Sequence, residues 1–333
     1  MSLENSMHES RPAPALWVVV PMYNEAEVLP EFQARLLRVL DALDLSARVL
    51  YVDDGSRDAS WALAQDFARL DPRVHGLKLS RNFGKETALT AGLDAVARVE
   101  NVAACVVIDA DLQDPPEVIP ELIARWREGA DMVYATRRRR LGESGIKRLT
   151  AAVFYRLMRR LSATAVPQDT GDFRLLSARA LRALAGLRER QRFMKGLFAW
   201  IGYPQAQVLY DRAPRAAGAT KWNYGRLWRF AVEGVTSFST VPLRLATWVG
   251  TLTSLLAFAY GAWIVLKVFV WGISVPGYAS LIVAILFLGG MQLLALGIIG
   301  EYVGRTYLEV KQRPLYLIEA SLGAAAPPSD AMP

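Results

Sequence analysis

The 333-residue chain is predicted to be an α/β protein with a mostly parallel sheet, followed by amphipathic interface helices and two transmembrane helices. Three observations predict this. Short β-branched runs alternate with helical patterns over residues 15–180, the rhythm of an open parallel sheet with helices on both faces. Two long apolar stretches follow, almost free of charge. Polar and acidic clusters stand directly after four of the runs, where ligands bind in such sheets.

Composition narrows the classes. Apolar residues make up 53% and mean hydropathy is +0.18. That excludes a disordered chain and exceeds the roughly 45–50% apolar content of soluble domains. Cys105 is the single cysteine, which excludes an internal disulfide and a thiolate zinc site. With only His8 and His75, a His-rich metal site is excluded too. Any metal must be held by carboxylates, which favours hard ions such as Mg²⁺ or Mn²⁺.

The elements follow in order. Met1 to Pro14 is polar, carries no signal-peptide pattern and is expected to be disordered. Leu16–Val20 is a continuous apolar run, as expected of a parallel strand buried on both faces. Ala26–Leu43 has helical periodicity, and Ala47–Val52 is the second strand. Ser60–Leu70 is a helix with Ser60 as its N-cap. Val74–Leu79 is a strand, Lys85–Val99 a helix, Ala103–Ile108 a strand, Val118–Glu128 a helix and Met132–Thr136 a strand. The domain they build is expected over residues 15–220, with juxtamembrane amphipathic helices over 221–244.

Leu245 to Val270 contains one charge, Lys267, and Ser280 to Gly300 contains none. A bilayer core of about 30 Å needs roughly 20 apolar residues as helix. The spans fall within residues 245–300, and residues 301–333 form a tail expected to be disordered after Leu317. Arg226, Arg229 and Arg244 precede the first span; Arg305, Lys311 and Arg313 follow the second. Positive flanks belong on the cytoplasmic side, so both termini are expected there, and Trp248, Trp263 and Trp271 suit interfacial positions. Gly289, Gly290, Gly297 and Gly300 permit close helix packing, within one chain or in a homo-oligomer.

The strand ends carry the chemistry. Pro21-Met22-Tyr23-Asn24-Glu25 ends the first, Asp53-Asp54-Gly55-Ser56 the second, Ser80 to Lys85 the third, and Asp109-Ala110-Asp111-Leu112-Gln113-Asp114 the fourth. Asp109 and Asp111 form a D-x-D pair that can face one cation, and magnesium takes one or two carboxylates plus substrate phosphates. Alone, such a pair also suits a solvated turn, and D-G-S is ordinary turn chemistry. Lys85, at a helix start, suits a phosphate contact or a solvated surface equally. Neither G-x-x-x-x-G-K-[ST] nor G-x-G-x-x-G follows the first strand, which disfavours a P-loop NTPase and a dinucleotide site.

The runs VVVPMYNE, YVDDGSRD, LSRNFGKETAL, VVIDADLQDPPE and DTGDFRLLS resemble the inverting family 2 glycosyltransferases, and more narrowly the polyprenyl-phosphate glycosyltransferases. The resemblance spans about residues 15–315 and implies a Rossmann-like nucleotide-sugar domain of GT-A type. It implies that Pro21, Tyr23, Glu25, Asp53 and Lys85 bind the nucleotide sugar, with Asp109 and Gln113. It places the metal, Mg²⁺ or Mn²⁺, on Asp109, Asp111 and Gln113, and catalytic roles on Asp111 and Asp172. Arg137, Arg139, Ser144 and Lys147 fall where such enzymes hold the acceptor phosphate.

The implied reaction transfers a sugar, foremost glucose from UDP-glucose, to undecaprenyl phosphate with inversion at the inner membrane, for envelope glycan or lipopolysaccharide modification. UDP-4-deoxy-4-formamido-arabinose, UDP-N-acetylglucosamine, UDP-galactose and GDP-mannose are alternative donors. Basic, aromatic stretches at Ile146–Leu161 and Lys221–Phe238 suit a lipid interface. No nucleic-acid motif accompanies them, so nucleic acid is not an expected partner. A processive polysaccharide synthase would need more spans and a Q-x-x-R-W segment. A non-catalytic membrane scaffold would tolerate decayed acidic motifs, and here all four acids stand.

Overall fold

The computed structural model describes residues 14–137, 170–190, 192, 194–211, 241–272 and 277–323. Its first unit is a mixed sheet of eight strands with helices packed on it. The strands are β1 (Ala15–Met22), β2 (Ala47–Asp53), β3 (Val74–Leu79), β4 (Val102–Val107), β5 (Met132–Arg137), β6 (Thr170–Ser177), β7 (Gln205–Tyr210) and β8 (Ile318–Leu322). Their order across the sheet is β7-β5-β6-β4-β1-β2-β3-β8. β1 pairs in parallel with β2 and β4, β2 with β3, and β5 with β7. β6 runs antiparallel between β4 and β5, and β8 runs antiparallel along β3.

β1 lies mid-sheet, and all eight of its residues are buried. That burial explains its unbroken apolar run. Around it pack α1 (Leu29–Asp41), α2 (Ser60–Leu70), α3 (Lys85–Ala97) and α4 (Ile119–Arg127). In α1 the buried residues are Leu29, Phe32, Gln33, Leu36 and Leu40, the spacing of one helical face. Each fully buried Leu or Phe contributes about 1.5–3 kcal/mol. α3 is different: Ala88 to Val96 are all buried. A Cβ on Gly92 would stand 2.4 Å from Val19 Cγ1 and 2.9 Å from Val52 Cγ2, so glycine there lets α3 press onto β1 and β2. Two short helices complete the unit, α5 (Ala178–Ala185) and α6 (Met194–Trp200).

Three features differ from expectation. Ser60 is the first helical residue rather than the cap; its hydroxyl bonds Asp58 and accepts the Glu25 N–H instead. The tail after Leu317 is not disordered where it is described. Ile318, Ala320 and Leu322 alternate with Glu319 and Ser321, a strand pattern, and β8 covers the edge of β3. Ser80 N donates to Leu317 O at 2.9 Å, and Lys78 pairs with Glu319 at 3.0 Å. The second apolar helix also runs past Gly300 to Val310, carried by the i,i+4 pair Glu301–Arg305, and stops before Gln312 at φ +47° and Pro314.

The second unit contains α7 (Val241–Trp271) and α8 (Tyr278–Val310), 31 and 33 residues long. Their apolar spans, Leu245–Trp271 and Ser280–Val310, have mean hydropathies of 1.8 and 2.5, and none of either apolar window is buried. A core helix would be covered. Unburied apolar surface of this extent, on helices long enough to cross about 30 Å, marks membrane association.

Candidate active site

The loops after β1, β2 and β3 are tied into one rim. Asn24, at φ +54°, donates its N–H to Ser56 Oγ at 3.0 Å and accepts the Arg57 N–H at 2.8 Å. Glu25 N donates to Ser60 Oγ at 2.8 Å, and Ala26 N to Asp58 at 3.1 Å. Asp54 is spent on architecture: its two oxygens accept the Phe83 and Gly84 N–H groups at 2.7 and 2.9 Å. Gly55, at φ +70°, lets the Arg81 backbone pass 2.6 Å from where a Cβ would stand. Asp53 is different. One oxygen accepts the Ser56 N–H, while Oδ2 is buried with no partner among the described residues. Burial raises the Asp53 pKa, opposed by its bonds to Ser56. Pro21 is buried beside it in β1, and Tyr23 projects at the rim, 40% exposed.

Beside this rim lies the acidic centre. Lys85 opens α3, and its ammonium lies 2.6 Å from both Asp109 and Asp172. Asp109 follows β4 and Asp172 lies in β6, so three separate elements meet at one cation. Burial of the ammonium opposes its charge, but Asp109 and Asp172 outweigh it and raise the Lys85 pKa. Burial also works to raise Asp172, yet Lys85, Lys195 and Arg174 hold it down at about 2. Asp109 shifts upward, because burial and the Asp172 charge prevail over Lys85. The D-x-D turn bends at Leu112, whose φ of +58° costs about 1–2 kcal/mol for a side chain other than glycine. Asp111 accepts the Gln113 N–H at 3.1 Å, and Asp114 accepts the Tyr210 hydroxyl.

Three oxygens here are buried without a partner among the described residues: Asp109 Oδ1, Gln113 Oε1 and Asp172 Oδ1. All are hard donors, so the chemistry fits Mg²⁺ or Mn²⁺. Among the described residues no group of three His, Cys, Asp or Glu side chains forms a metal cage.

Several residues of this centre escaped sequence reasoning. The Met194 backbone N–H favours the charged form of Glu86, while its Oε2 is buried with no partner among the described residues. Burial and the Asp172 charge raise its pKa to about 7. Arg174 lies buried in β6, stacked 3.7 Å over the Phe198 ring, and donates to Gly171 O at 2.8 Å. Burial lowers it to about 10 and also lowers Lys195, on α6. Glu86 was visible only as the neighbour of Lys85; nothing in the sequence around Lys195 signals a site. Arg137 ends β5, and its side chain is not described. Arg139, Ser144, Lys147 and the basic stretches at 146–161 and 221–238 lie outside the described residues. A separate cleft of about 600 Å³, lined by Arg48, Arg73 and His75, opens at the amino ends of β2 and β3, away from these carboxylates.

The sequence pattern of glycosyl transferase family 2 matches residues 17–185, the stretch that carries the rim, Lys85 and the three aspartates. The chain belongs to glycosyl transferase family 2. A second pattern, the GtrB C-terminal hairpin, matches residues 241–306, which are α7 and most of α8. The uncharacterized glycosyltransferase sll0501 of Synechocystis sp. is 52% identical over 303 residues, covering 91% of this chain and 94% of that protein. The SfII prophage-derived bactoprenol glucosyl transferase of Shigella flexneri is 45% identical, covering 91% of this chain and 97% of that protein. The prophage bactoprenol glucosyl transferase homolog of Escherichia coli is 45% identical with the same coverage. This family 2 protein is therefore a glycosyltransferase, and its mixed α/β sheet is GT-A-like.

Proposed function

We propose that this glycosyltransferase moves glucose from UDP-glucose to undecaprenyl phosphate, with inversion, at the cytoplasmic face of the bacterial inner membrane. The observation that carries the reading is the 45% identity to a bactoprenol glucosyl transferase over 91% of the chain, apolar hairpin included. Basic residues on the flanks of both spans support cytoplasmic termini.

In this reading the rim binds the nucleotide. Asp53 Oδ2, buried and unpartnered, accepts a donor N–H or hydroxyl of the base or ribose; Pro21, Tyr23 and Glu25 frame that subsite. Asp109, Asp111 and Gln113 would hold Mg²⁺ or Mn²⁺, which when bound offsets charge on the diphosphate leaving group. Lys85 brings a positive charge to the same carboxylates and can lend it to phosphate oxygen. An acceptor phosphate is already ionised near pH 7. Asp172, held at about 2, is too weak a base to take its proton there and serves instead to orient Lys85 and the sugar. Arg137, Arg139, Ser144 and Lys147 are assigned to the acceptor phosphate.

The test uses purified protein in detergent with undecaprenyl phosphate, a panel of UDP-sugars and GDP-mannose, with and without chelator. The reading expects a lipid-phosphate glucose that is lost on chelation. Transfer of a different sugar would overturn the donor assignment. No transfer and no nucleotide binding by folded protein would favour a scaffold that keeps the fold.

A further inference from the structure

Glu86 is the acid in the centre that no role above uses. It stands second in α3, where a negative charge suits the helix dipole and ordinarily faces water. Here the carboxylate lies beside the Met194 backbone, whose N–H favours its charged form, and Oε2 is buried with no partner among the described residues. A buried acceptor left unpaired is costly and calls for a ligand that donates to it. Among the described residues, neighbouring cations do not supply the bond. Lys85 is committed to Asp109 and Asp172. Arg174 donates to the Gly171 and Asp172 carbonyls and stacks on Phe198.

Lys195 is the remaining cation. Its helix, α6, packs on α3 where the Thr90 hydroxyl meets Met194 Sδ at 3.8 Å and on β6 where Arg174 stacks over Phe198, and Lys195 forms no ion pair among the described residues. A buried acceptor oxygen and a cationic donor, on helices that pack together, match what adjacent sugar hydroxyls need. One hydroxyl donates, and its neighbour's oxygen accepts. An ionised phosphate oxygen offers Glu86 no donor, and an apolar group would leave both polar side chains unpaired.

Resting on the donor being a nucleotide sugar, we propose that Glu86 and Lys195 are specificity-determining residues of the sugar subsite. Glu86 Oε2 accepts a hydrogen bond from one ring hydroxyl of the transferred sugar, and Lys195 donates to the oxygen of a neighbouring hydroxyl. A site built to pair with a hydroxyl rejects the analogue that lacks it, because its buried polar group is then left alone.

The experiment measures kcat/KM of the full-length enzyme for the UDP-sugar it transfers and for each mono-deoxy analogue. Wild type is compared with Glu86→Gln and Lys195→Met, and UDP affinity is measured by calorimetry on the same samples. Glu86→Gln is expected to lower kcat/KM for the parent sugar about ten- to a hundredfold, the usual range for a hydrogen bond to a charged group. UDP affinity should change less than about twofold. One deoxy donor should lose a similar factor with wild type and a clearly smaller one with Glu86→Gln, whose amide oxygen accepts without the charge. A second deoxy donor should behave in the same way with Lys195→Met. The proposal is overturned if every deoxy donor loses the same factor with wild type and variants, or if UDP affinity falls as far as kcat/KM. Should Glu86→Gln fail to fold, the Lys195→Met cycle decides. Wild type that transfers no sugar from any nucleotide would defeat the donor reading itself, before any variant is compared.

Discussion

Replacing Lys85 by Met removes a cation that pairs with both Asp109 and Asp172. The ammonium sits 2.6 Å from each carboxylate, whose side chains are 20% and 12% exposed, while the Lys85 side chain is 46% exposed. Breaking a buried pair costs about 3–5 kcal/mol, and a surface pair about 0–1. The half-exposed lysine places this bridge between those limits, at about 2 kcal/mol after solvent screening. At roughly 2–4 °C per kcal/mol, the melting temperature should fall by about 4–8 °C.

The sign with pH follows from the shifts. Lys85 is raised above 10.5, so its share is complete below that value and fades only as pH rises through its folded value. Asp172 is depressed from 3.8 to about 2, so its share is complete above about pH 4 and is lost as pH falls from 3.8 to 2. Asp109 shifts the other way and disfavours the fold as it ionises. Without Lys85 that cost grows, so the Lys85→Met penalty should be larger at pH 8 than at pH 5. The assay is thermal unfolding in detergent with chelator present, wild type against variant at both pH values. A variant that melts with wild type, or loses equally at both, refutes the electrostatic account.

Two further predictions concern the frame around the site. Gly92→Ala gains about 1 kcal/mol in helix propensity but forces a Cβ to 2.4 Å from Val19 Cγ1, and overpacking costs about 1–3 kcal/mol. Net destabilisation of about 1 kcal/mol is expected, with lower kcat because α3 carries Lys85; a stabilised variant would contradict the packing. Truncation before Ile318 exposes the β3 edge and removes the Lys78–Glu319 pair. Truncated protein should still insert in membranes yet melt several degrees lower and aggregate, and an unchanged melt would make β8 dispensable.

Much of this was legible in the sequence because it lives in local pattern. The unbroken run of β1, the face of α1 and the D-x-D turn each show in a few neighbouring residues. Features built from distant partners did not show. β8 reaches β3 across more than 200 residues. Its alternation I-E-A-S-L was readable, but so short a segment signals a strand only beside an edge that needs covering. Ser60 looked like a cap because caps are judged from sequence neighbours, whereas its hydroxyl serves Glu25, 35 residues away. Lys195 comes to the centre on α6, where no motif surrounds it. Asp53 and Asp54 are adjacent and alike in sequence. Only structure separates the one that holds the loop from the one with an oxygen left for a ligand.

The central claim is that the acids after β4 form the centre where the sugar is transferred. It is tested most directly by the turnover of Asp111→Ala, with membrane insertion and folding checked on the same preparation. Inserted, folded protein with turnover reduced about a hundredfold or more is expected, the scale of lost transition-state charge stabilisation. Asp111→Ala protein that keeps full, chelator-sensitive activity would contradict it.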